Sequence, residues 1–210
     1  MGRLINGING PIQGKVGTVI GSSWKGIPYL KGPHKKRTEK VSDEELRNRK
    51  KFAAAQLWLK PLLKFVRAGF RGYSPRSEGF VAAKSYLLKN AMEVTADSIS
   101  INPAMMLVSF GDLPLSEGIT AALLPDHHVQ FTWDADPVAG SSARDQVMLL
   151  AYDAEHRRAC YTTTGQFRSD GADVLKIPSV AGCNYHLYLA FTAADRSRQS
   201  NSVYMGAISS

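Results

Sequence analysis

The sequence predicts an α+β protein in which a glycine-rich, strand-forming arm and two to three helices precede an antiparallel β-sandwich. Three observations lead there. Nineteen Lys and Arg face only six acids in residues 1–94, whereas seven face twelve in residues 95–210, so the two halves carry opposite net charge. Eight of the 18 glycines fall before Pro33. From Thr95 onward apolar and polar residues alternate, with turn residues at intervals of roughly eight to twelve, and no helical period intervenes. The expected organisation is a basic region over 1–94, with an arm over 1–32 and helices within about 43–93, and a strand module over 95–210.

In the arm, Gly14, Gly17, Gly21 and Gly26 interrupt Val16, Val19, Ile20, Trp24, Ile27, Tyr29 and Leu30. Such spacing cannot sustain a helix, because each interior glycine costs about 1 kcal/mol relative to alanine. It predicts short strands over 15–20, 22–24 and 27–30, broken at Gly21 and Gly26. Too few large side chains are present to bury these strands, so they are expected to take hydrogen-bond partners from elsewhere, on this chain or another. Val16, Val19, Trp24, Ile27 and Tyr29 are the expected partner-binding anchors.

A basic run, Lys35-Lys36-Arg37, precedes Ser42-Asp43-Glu44-Glu45, which reads as an N-cap with its capping box. Leu46, Phe52, Ala53, Leu57 and Trp58 then form an apolar face, and Pro61 should end or kink the helix. A second helix is expected over 62–70 and a third from Gly79 to about Glu93. Lys35, Lys36, Arg37, Arg47, Arg49, Lys50 and Lys51 could alternatively neutralise phosphates of a nucleic acid, with Trp24 and Tyr29 stacking on bases. No named nucleic-acid-binding motif accompanies them, and Asp43, Glu44 and Glu45 interrupt the run.

In the second half, Val129, Phe131 and Trp133 fall on one face of a strand beginning at His128. Further strands are expected over 99–101, 146–152, 159–163, 172–177, 185–192 and 202–208, which indicates a sandwich rather than a parallel sheet. The segment Val129-Gln130-Phe131-Thr132-Trp133-Asp134 resembles the second strand of a fibronectin type III domain. The run from Gly182 to Phe191, with Ser200-Asn201-Ser202-Val203 after it, resembles that family's last two strands. The resemblance implies an Ig-like, fibronectin type III-like sandwich and, since such folds host many functions, no chemistry.

Chemistry is largely excluded. Gly10 to Lys15 has three residues between its glycines and Val16 after the lysine, where a phosphate loop needs four and Ser or Thr. Ser141 and Ser142 beside Arg144 and Asp145 lack a nucleophile elbow, and Asp134 and Asp136 lie ahead of a loop marked by Pro137. Cys160 and Cys183 lack metal-site spacing, His127 and His128 should face opposite sides of a strand, and His34, His156 and His186 are scattered. No catalytic residue, metal ligand, cofactor or small-molecule substrate is expected. Neither a signal sequence nor a membrane span is visible, so a cytoplasmic location is expected.

Asn6-Gly7-Ile8-Asn9-Gly10-Pro11, Gly14-Lys15-Val16-Gly17, Gly21-Ser22-Ser23-Trp24-Lys25-Gly26 and Ser200-Asn201-Ser202-Val203-Tyr204 resemble, over nearly the whole chain, a bacterial domain family of unknown function. The resemblance implies that arm and strand module travel as one unit, and it supplies no functional residues. The expected function is therefore that of a non-enzymatic structural protein docking through its arm on a neighbouring subunit or protein partner, the alternative being nucleic-acid binding by the basic half.

Overall fold

The computed structural model describes residues 2–209 apart from Ile5, Ile8, Asn9, Arg37, Glu39, Arg76, Ala96, Asp97, Pro137 and Ala181. It divides the chain into two compact units, Met1–Asp43 and Glu44–Ser210. The division falls at the start of the first helix.

In the first unit β1 (Arg3–Leu4), β2 (Ile12–Val16), β3 (Val19–Trp24) and β4 (Ile27–Lys31) form an antiparallel meander in chain order. This corrects the expectation that these strands need partners from elsewhere, because their ladders run within the arm, pairing Lys15 with Ile20 and Ser22 with Tyr29. It also corrects the strand limits. The chain turns at Gly17, where φ is 57°, so Lys15 to Ile20 is two strands and not one. Gly21 interrupts nothing. It sits mid-strand between Gly14 and Leu30, and it is glycine because a β-carbon there would collide with the Ile12 carbonyl. Lys25 and Gly26 link Trp24 to Ile27 with φ of 48° and 81°, the two positive values that a twisted two-residue hairpin turn demands.

The second unit has three layers. Helix α1 (Asp43–Leu59) passes through a 3-10 turn at Lys60–Leu62 into α2 (Leu63–Gly69), with Pro61 inside that turn where its missing N–H costs least. Helix α3 (Gly79–Tyr86) continues into a wider turn over Leu87–Ala91 and stops there, short of the expected Glu93. Residues Met92–Val94 instead form β5, paired with β6 (Ile99–Ile101). The remaining strands are β7 (Thr120–Leu124), β8 (His128–Thr132), β9 (Gln146–Asp153), β10 (Arg158–Thr162), β11 (Ala172–Lys176), β12 (Asn184–Thr192) and β13 (Val203–Ser209). They form two antiparallel sheets, β11-β8-β7 and β10-β9-β12-β13.

The larger sheet is covered on both sides. Val147, Leu149 and Ala151 of β9 with Leu187, Leu189 and Phe191 of β12 meet Val129, Phe131, Trp133 and Leu175 from the smaller sheet. The alternate residues Met148, Leu150, Tyr152, Tyr188 and Ala190 meet Trp58, Leu59, Leu62, Phe65, Val66 and Leu87 from the helices. Burial on two faces explains why Val147 to Tyr152 reads as a continuous apolar run and not as an alternation. The Tyr152 hydroxyl donates to the Trp58 carbonyl at 2.8 Å, with the two rings edge-on at 4.9 Å, which ties helix to sheet.

The Ser200-Asn201-Ser202 ending works as a latch. Ser200 Oγ accepts from the Phe191 amide and Ser202 Oγ from the Val108 amide, while Ser109 Oγ donates to the carbonyls of Gly69 and Ser200. All three serines are buried, and their hydroxyls bond backbone groups that water does not reach. No helix among the described residues is long and apolar enough to cross a membrane.

Candidate functional site

Among the described residues of the first unit only Gly21 is buried, so this sheet has no core. Register sorts its apolar residues into two groups. Trp24 pairs with Ile27 and, one step along the same face, Ser22 with Tyr29 and Ile20 with Lys31. Val19, Gly21 and Leu30 point to the opposite face, where Val16 pairs with Val19. The five expected anchors are therefore not one surface. Trp24, Ile27 and Tyr29 come together, and Val16 and Val19 lie behind them.

Trp24, Ile27 and Tyr29 are 54%, 64% and 43% exposed. Lys15 and Lys31 flank Ile20 on the same face, and Lys25 Nζ lies 5.7 Å from the Trp24 ring centre. Trp and Tyr, the aromatic residues of this face, are among those in which interface hot spots are enriched. Pro28 stands on the edge strand β4, where it removes a donor and blunts strand addition. Gly10, Pro11, Ile12, Pro28, Tyr29 and Leu30 line a cleft of about 410 Å³ within the same sheet.

The second unit offers one acidic cleft. Glu117, Asp134, Ala135, Asp136 and Val138 line a cleft of about 430 Å³. The remaining residues weighed for catalysis are occupied structurally. Asp145 accepts from the Ser142 amide and pairs with buried Arg168 at 3.3 Å, and Ser141 Oγ donates to the Val138 carbonyl. Arg168 also donates to Ser116 Oγ and the Pro114 carbonyl and stacks 4.1 Å from the Phe191 ring centre. Burial lowers its pKa from the usual guanidinium value, and Asp145 opposes that shift.

The cations expected to meet phosphates are divided between the two units. Lys35 and Lys36 belong to the first unit, whereas Arg47, Arg49, Lys50 and Lys51 belong to the second; Arg37 lies outside the described residues. Arg47 donates to the Thr95 carbonyl at 2.8 Å, and Arg49 pairs with Glu45 at 2.7 Å.

One cluster escaped the sequence reading. Asp153, for which the sequence offered no reading, joins His156 and Cys183 to present a carboxylate oxygen, a ring nitrogen and a sulfur within 4.8 Å of one another. The signal lay in Asp153-Ala154-Glu155-His156, a tight turn between β9 and β10 that sets two ligand types side by side. The third comes from the start of β12, which pairs with β9 and so returns Cys183 to the same end of the sheet.

A family model matches residues 11–206, from β2 in the arm into β13 in the second unit. The chain belongs to the family of unknown function DUF6266. No curated protein and no solved structure matches it. Because the DUF6266 match runs through both compact units, arm and strand module are parts of one family pattern. The Trp24-Lys25-Gly26 segment of this DUF6266 member is a hairpin turn carrying an exposed tryptophan, and its Ser200-Asn201-Ser202 segment is the internal latch.

Proposed function

We propose that this chain is a non-enzymatic assembly protein whose N-terminal sheet docks, through Trp24, Ile27 and Tyr29, on a second copy of the same chain. The observation that carries the reading is the three-residue apolar face, exposed and lysine-rimmed, on a unit with almost nothing buried. The second copy is favoured because the chain carries the complementary charge itself: a basic arm and an acidic strand module whose cleft holds Glu117, Asp134 and Asp136. Such a contact joins unlike surfaces, so it propagates from copy to copy.

Magnitudes set the strength. Strands about 4.8 Å apart with about 3.3 Å per residue give one face of this sheet an area on the order of 300 Å². Stable interfaces bury about 800 Å² per partner, so each contact is weak and assembly depends on concentration.

The strand module serves as the rigid body. We read it as Ig-like, of the fibronectin type III kind. The support is the strand order β11-β8-β7 opposite β10-β9-β12-β13, with Trp133 at the end of β8 edge-on to Phe191 at 5.5 Å. A cytoplasmic location belongs to the same reading. Nucleic-acid binding has less support, since Arg47 and Arg49 are engaged within the second unit.

Sedimentation velocity over a concentration series tests the proposal. The native chain shifts to faster species as concentration rises, and the Trp24→Ser/Ile27→Ser variant stays monomeric. A native chain that is monomeric throughout overturns it.

A further inference from the structure

We propose that Asp153, His156 and Cys183 form a binding site for a divalent transition-metal ion of the zinc class. The three side chains converge from two elements, the β9–β10 turn and the start of β12. Asp153 Oδ1 accepts from the amides of Glu155 and His156 at 3.0 and 3.1 Å, which fixes the carboxylate and leaves Oδ2 facing the cluster. His156 Nδ1 lies 2.7 Å from Asp153 Oδ2 and 3.8 Å from Cys183 Sγ. A tetrahedral zinc with bonds of about 2.0–2.3 Å needs its ligand atoms about 3.3–3.6 Å apart. The cluster, within 4.8 Å throughout, meets this through small rotations, chiefly of the exposed His156 ring.

A second observation points into the same place. Tyr185 is fully buried beside Cys183, and its hydroxyl has no hydrogen-bond partner among the described residues. A metal-bound thiolate at Cys183 would give that donor an acceptor, the supporting contact that metal ligands commonly have. The guanidinium of Arg158 lies 3.9 Å from the sulfur.

The obvious rival is a cysteine nucleophile activated by His156 and Asp153. The geometry disfavours it. In such a triad the nucleophile and the acid sit on opposite ring nitrogens, whereas Asp153 and Cys183 both approach Nδ1. Three unlike donors aimed at one point suit a cation. Asp153 and Cys183 are buried and His156 is exposed, so the fourth position opens to solvent, as in metal sites that keep a water or bind a substrate. On binding, the Cys183 thiol proton leaves to solvent, and neutral His156 ligates through the Nδ1 lone pair with its proton on Nε2.

Titration of the metal-free full chain with Co(II), followed by Zn(II) competition, tests the site. The expected result is one ion per chain, with a thiolate-to-cobalt charge-transfer band and intense visible bands of tetrahedral type that Zn(II) abolishes. Cys160→Ser keeps the bands. Cys183→Ser and His156→Gln lose them or need more than about a hundredfold more metal. Because His156 is exposed, His156→Gln retains the native circular dichroism even if Cys183→Ser does not fold. Absence of the bands in the native chain, or their persistence in His156→Gln, overturns the proposal.

Discussion

Gly21 packs its α-carbon so closely on the Ile12 carbonyl that a side chain at Gly21 would strike it. The contact closes β2 on β3 in a sheet with no apolar core, so backbone geometry does what packing does elsewhere. Gly21→Val is expected to open the arm while leaving the second unit intact. Limited proteolysis should show rapid cleavage within residues 12–31, and the main thermal transition should be unchanged.

Arg168 is the largest fully buried side chain of the second unit, and its guanidinium joins Asp145, Ser116, Pro114 and the Phe191 ring. Removing one partner of a buried ion pair costs about 3–5 kcal/mol, because the other charge is left unpaired. Arg168→Ala should lower the urea midpoint accordingly. Arg198→Ala, which breaks a solvent-exposed pair with Asp112, should scarcely move it.

Tyr188 donates to the Pro103 carbonyl at 2.8 Å from within the core. Burial first, then Tyr204 and Tyr152, raise its pKa far above the ordinary phenol value of 10.0. The sign follows from linkage. The folded state holds the proton more tightly than the unfolded state, so this contribution is complete below pH 10 and is lost as pH rises above it. Denaturant unfolding of the native chain should weaken steeply above that pH. Tyr188→Phe should cost about 1 kcal/mol at neutral pH and show a shallower alkaline loss.

Helices and most strands of the second unit were legible because their signals are local: Pro61 marks the end of α1, and Val129, Phe131 and Trp133 alternate along β8 and into the residue beyond it. What the sequence hid was tertiary. Thr120–Leu124 is a strand without clear alternation, and Met92–Val94 joins a hairpin although it continues a helical pattern. The continuous run in β9 carried the clue that helices cover the second face of its sheet. In the arm, the glycine spacing made Val16, Val19, Trp24, Ile27 and Tyr29 legible as strand residues. Their division between two faces depends on the turns at Gly17 and Lys25-Gly26, which set the register. The Asp153, His156 and Cys183 cluster joins residues up to 30 positions apart through the β9–β12 pairing, which no local motif announces.

Unlike surfaces can be separated, and that gives the most direct measurement of the proposed docking. One variant carries a defective face, Trp24→Ser/Ile27→Ser, and keeps its acidic cleft; the other, Asp134→Lys/Asp136→Lys, keeps the face and loses the cleft. Light scattering should find each variant monomeric alone and a one-to-one complex when they are mixed, with no larger species because each pair has one usable contact. Variants that still associate alone, or a mixture that stays monomeric while the native chain assembles, would contradict the docking of this face on a second copy's acidic module.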